Sequence, residues 1–113
     1  MERTEIEKAI RDVMEDWEKD DIKDLFEGYS CEDFALFILE LNDRGKIPFS
    51  ADWGEDFFQV GVNAQIGKEY VWIVFESNDV TPTNNIDGLI EWIMQMGERA
   101  TKIQEAIDSI PAV

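Results

Sequence analysis

Residues 47–77 read IPFSADWGEDFFQVGVNAQIGKEYVWIVFES, and apolar side chains recur there at every second position. Ile47, Phe49, Ala51 and Trp53 alternate with other residues, then Phe58, Val60, Val62, Ala64 and Ile66, then Val71, Ile73 and Phe75. Alternation puts successive apolar side chains on one face of a pleated strand, so the stretch predicts three strands. Gly54-Glu55-Asp56 and Gly67-Lys68-Glu69 supply the turns of an antiparallel meander. Pro48 has no amide hydrogen, which favours an edge for the first strand. Tyr70, Trp72 and Val74 make the other face of the third strand apolar too. That predicts a strand that is central and covered on both faces, or one that lines an interface.

Outward from this block the period becomes helical. Upstream, Ser30 and Asp33 mark a helix start, because each can accept bonds from free first-turn amides. Phe34, Phe37, Ile38 and Leu41 form its inner stripe, and Ala35, Leu36 and Leu39 make the other faces apolar, which predicts burial on most sides until Gly45 closes the helix. Nearer the amino end, Thr4 and Glu7 have capping-box spacing, and Ile6, Ile10, Val13, Met14 and Trp17 share one helical face. Asp20-Asp21 resets the phase before Ile22, Leu25 and Phe26, predicting a kink or a short second helix that Gly28 ends.

Downstream, the polar run from Asn78 to Asn85, with Pro82 inside it, reads as a loop whose Asn84-Asn85 pair caps a long helix. Ile86, Ile93, Ala100 and Ile107 fall at intervals of seven, with Leu89, Ile90, Met96, Ile103 and Ile110 filling the stripe before Pro111 ends it. Such a stripe serves packing on a sheet and equally a homodimer through the C-terminal helix, with Trp92 beside it. The expected fold is α+β: two N-terminal helices, a three-stranded antiparallel sheet and a long C-terminal amphipathic helix packed on it, as a single domain over 1–113.

The chain carries 26 acidic and 10 basic residues and no histidine, a net charge of −16, yet 44% of it is hydrophobic, enough to collapse around a core. A field of that sign disfavours direct nucleic-acid binding and anionic membranes, and it speeds encounter with a basic protein partner. Cys31 is the single cysteine, so no intrachain disulfide can form; with a charged rather than apolar amino terminus, the expected location is cytoplasmic.

Chemistry finds little to work with. Without histidine there is no imidazole base and no common zinc constellation. Cys31 starts a helix, where the dipole lowers a thiol pKa, but Glu32 and Asp33 oppose that, which predicts an inert thiol. Asp52, Glu55 and Asp56 around Gly54 match no calcium loop and read as a solvated turn; the polar side chains of 78–87 read as loop and cap. Phosphate-cradling glycine motifs are missing. No catalytic residue, metal or cofactor is expected.

The remaining feature is acidic. Half of the 26 carboxylates fall within residues 1–33. Asp12, Glu15, Asp16, Asp20, Asp21, Asp24 and Glu27, with Trp53 as an aromatic anchor, form the candidate partner-binding set. Carboxylates three or four apart on a helix stand about 5–6 Å apart at Cβ, which suits imitation of a phosphate row. Glu7 with Arg11 and Glu15 with Lys19 have the spacing of favourable pairs in one helix, the patterning of an ordinary solvated face. The expected function is a non-enzymatic acidic domain docking on a basic partner, such as a DNA mimic or phage-type inhibitor of a nucleic-acid-binding protein. The first alternative is an assembly module holding an apolar client near Phe49, Trp72 or Trp92; in shape and charge alone the chain resembles small acidic secretion chaperones, which set helices against a short antiparallel sheet and often dimerise. The second is a small carboxylate-based or metal-dependent enzyme.

Overall fold

The computed structural model describes residues 2–27 and 30–110. Its order is α1 (Arg3–Glu15), α2 (Lys19–Glu27), α3 (Cys31–Asp43), β1 (Ser50–Trp53), β2 (Phe58–Ile66), β3 (Glu69–Asn78) and α4 (Ile86–Asp108). This is the expected α+β arrangement, with a second short helix rather than a kink after α1. The helix stops expected at Gly28 and Pro111 lie outside the described residues.

Local chemistry sets most helix ends. The Ser30 hydroxyl accepts from the Asp33 amide at 3.0 Å, and Asn85 Oδ1 accepts from the Gly88 amide at 2.8 Å, so α3 and α4 start on side-chain caps. After α3, Gly45 takes φ 72°, its amide donating to the Asn42 carbonyl and that of Lys46 to the Leu41 carbonyl, a Schellman closure. The capping box at Thr4 does not form: α1 begins two residues earlier, Glu2 is its N-cap without a side-chain bond, and Thr4 lies inside the helix.

The sheet is a meander in the order β1-β2-β3, antiparallel throughout. β1 is an edge, with Pro48 just before it. The expectation of a central third strand fails, because in a meander the middle strand is the second: β2 is paired on both sides and β3 is the other edge. Phe58, Val60, Val62 and Ala64 of β2 are buried under the helices, whereas Asn63 and Gln65, pointing the opposite way, are exposed. All helices therefore cover one face. α3 packs on β1 and β2, α4 on β2, α1 on α3 and α4, and α2 on α3.

One contiguous core joins Ile6, Ile10 and Val13 of α1, Leu25 of α2, Phe34, Phe37, Ile38 and Leu41 of α3, and Leu89, Ile90, Ile93, Met96 and Ala100 of α4. At its centre Trp92 meets Phe34, Phe49 and Phe58 with ring centroids 5.1, 6.1 and 6.2 Å away. Trp92, beside the α4 stripe, is thus a core residue. α3 is less enclosed than its sequence predicts, since Leu36 is exposed. The α4 stripe is half-buried at Ile86, buried from Leu89 to Ala100, half-buried again at Ile103 and Ile107, and open at Ile110. No helix among the described residues is long and apolar enough to cross a membrane.

Candidate functional site

α2 buries Leu25 and half-buries Ile22 and Phe26, which turns Asp20, Asp21, Lys23 and Glu27 outward. The Ser30 cap starts α3 so that Asp33, in its first turn, comes beside α2. Carboxylate oxygens of Asp21, Asp24 and Asp33 all lie within 4.8 Å of one another. Burial pushes the Asp33 carboxyl above its ordinary pKa; the Ser30 hydroxyl works against that, and the charges of Asp21, Asp24 and Glu32 add to it.

Beside this cluster is a shallow depression lined by Asp16, Trp17, Glu18, Asp21, Asp33 and Leu36. Its apolar parts are the half-buried Trp17 and the exposed Leu36, and its rim is four carboxylates. Trp17 is held firmly: its ring meets Phe37 edge-on at 5.4 Å and its Nε1 donates to Glu40 at 2.7 Å. Arg44 donates to Glu40 at 2.8 Å and to Asp16, joining the end of α1 to the end of α3.

The candidate acidic residues separate into groups. Asp21 and Asp24 come together and recruit Asp33, which the sequence offered only as a helix-start residue. Asp20 is exposed on the same helix. Asp16 reaches the depression but is paired with Arg44, and Glu27 is paired with Lys23 at 3.6 Å. Glu15 ends α1 while Lys19 begins α2, so their expected pairing within one helix does not exist; Glu7 and Arg11 do pair, at 3.7 Å. Asp12 lies in mixed surroundings with Glu5, Lys8 and Lys46. Trp53 ends β1 opposite Phe58 and packs against the core.

Other chemistry-bearing residues have structural work. Burial raises the Cys31 pKa, with Asp79 and then Asp56 contributing, and the thiol donates to the Asp79 carbonyl at 3.5 Å. The charges that act are therefore not the expected Glu32 and Asp33. Asp52, Glu55 and Asp56 are exposed; Asp52 accepts from the Trp53 amide, and the Gly54 amide donates to the Phe57 carbonyl to close the turn. Among the described residues the Asp21–Asp24–Asp33 group is the one place where metal-ligating side chains converge. Comparison with protein-family models, with curated proteins and with solved structures gave no match to this chain.

Proposed function

We propose that the chain is a non-catalytic protein-binding domain that docks the acidic surface of α2 on a basic partner and seats an arginine of that partner in the depression over Trp17 and Leu36. The depression itself carries this reading. An arginine needs apolar ground for its methylenes, an aromatic face or edge for its planar guanidinium, and carboxylates for its five donors. Trp17, Leu36, Asp21 and Asp33 offer these within one site. The surroundings add long-range attraction: residues 15–33 hold nine carboxylates and two lysines, one of which pairs with Glu27. Carboxylates already crowded at Asp21, Asp24 and Asp33 gain further when a cation arrives, because the repulsion among them is relieved.

The partner class that fits best is a nucleic-acid-binding protein, whose phosphate track is lined with arginine and lysine. Asp20 and Asp24, four apart on α2, and Asp21 and Asp24, three apart, present anions at about 5–6 Å between Cβ atoms.

Capture from a lysate of the source organism, with the wild type and with Asp21→Asn, Asp24→Asn and Asp33→Asn combined, tests the proposal. A basic nucleic-acid-binding protein should be retained by the wild type, lost with the variant and displaced by double-stranded DNA. Equal retention by wild type and variant would refute it.

A further inference from the structure

Intramolecular packing leaves the outer edge of β3 open. β3 pairs with β2 and with no other strand among the described residues. An antiparallel edge strand keeps, at alternate residues, an amide and a carbonyl directed away from its neighbour. Proteins normally blunt such an edge with charge, proline or a bulge. Here the blunting is confined to one end: the register breaks opposite Val60/Gly61, Arg99 donates to the Phe75 carbonyl, and the same guanidinium pairs with Glu76 at 2.6 Å. From Tyr70 to Phe75 there is neither charge nor proline. On the helix-free face Tyr70 is 74% exposed and Val74 39%, with half-buried Trp72 between them; on the other face Val71 is 39% exposed.

We infer that this edge pairs with the same edge of a second copy, antiparallel about a two-fold axis at Trp72, so that two three-stranded sheets become one of six strands. The segment is self-complementary in that register. Trp72 meets its counterpart, Tyr70 faces Val74 of the other copy, Val71 faces Ile73, and Lys68 comes alongside the Glu76 end of the opposite edge. Charge selects the same place. In a chain of net −16 most surfaces repel a second copy, but at β3 Lys68 and Arg99 stand against Glu69 and Glu76. The topology also keeps the strongest repulsion apart: α2 packs on α3, α3 packs most extensively on β1, and β3 is the opposite edge, so the two acidic helices sit at the far ends of the pair. This inference does not depend on the identity of any basic partner.

Sedimentation velocity of the full chain over a wide concentration range, at low and at high salt, tests it. A monomer–dimer equilibrium that tightens as salt rises is expected, because screening weakens the repulsion between two −16 chains. Tyr70→Lys with Val74→Lys, both at exposed positions, should weaken that equilibrium about tenfold or more while the backbone signal in far-ultraviolet circular dichroism stays unchanged. A chain monomeric at every concentration, even one whose edge captures a strand of another protein, overturns the inference. A dimer equally tight in the double-lysine variant does so too.

Discussion

The indole of Trp72 lies across Gly61 on the helix-free face, so close that a methyl group on Gly61 would stand 3.1 Å from the ring's Cη2 and 2.3 Å from the Ile73 carbonyl oxygen. The second distance is decisive, because a backbone oxygen in a paired strand cannot step aside as a side chain can. Gly61→Ala should lower the free energy of unfolding by about 1–3 kcal/mol, the range for overpacking, measured by urea denaturation. An unchanged midpoint would show that β3 shifts freely against β2.

Trp92 and Trp72 should respond very differently to truncation. Trp92 is packed among Phe34, Phe49 and Phe58, so Trp92→Ala should cost about 3–5 kcal/mol and leave a domain of ordinary stability marginal. Trp72 has one face toward water, and Trp72→Ala should cost clearly less in the same assay. Equal losses would contradict the placement of either indole.

The helix starts make a matched test. Asn85→Ala removes the acceptor of the Gly88 amide and Ser30→Ala that of the Asp33 amide, each worth about 0.5–2 kcal/mol in thermal or urea unfolding. Thr4→Ala should stay within about 0.5 kcal/mol, because Thr4 caps nothing.

Asp33 gives the stability a pH dependence of definite sign. Burial first, then Asp21, Asp24 and Glu32, hold its carboxyl above the ordinary value against the Ser30 hydroxyl. A group with a raised folded pKa contributes stability that is fully present below the unfolded pKa and is lost as pH rises through the folded one. The stability of Asp33→Asn relative to the wild type should therefore grow as pH is raised from about 3 to 7, across the ordinary carboxyl range. A difference independent of pH, or one shrinking over that interval, would contradict the clustering.

What the sequence revealed and what it hid divide by range. Alternation from Ile47 to Phe75 exposes the strands because a pleat has period two, and Ser30, Gly45 and Asn85 are legible because their partners lie within a few residues. Apolar residues on both faces of β3 register contact with something, not with what: strand order makes it an edge rather than a central strand, with Tyr70 and Val74 exposed and Trp72 half-buried. Trp92 lies beside the positions seven apart and is still buried, because intervals of seven drift around a straight helix of 3.6 residues per turn, which widens the buried stripe beyond its nominal positions. Asp21 and Asp24 were recognisable as one helical face, but Asp33 joins them only because α2 packs on α3. The seat over Trp17 and Leu36 needed the same packing. No periodicity records contact between two helices.

Recognition of a basic partner by the carboxylates around α2 is decided by the affinity of the captured partner measured against salt, for the wild type and for Asp21→Asn/Asp24→Asn/Asp33→Asn. Wild-type affinity should fall steeply as salt rises, with the variant about tenfold or more weaker at low salt and flatter in its salt response. Affinity indifferent to salt and equal in the two proteins would contradict it.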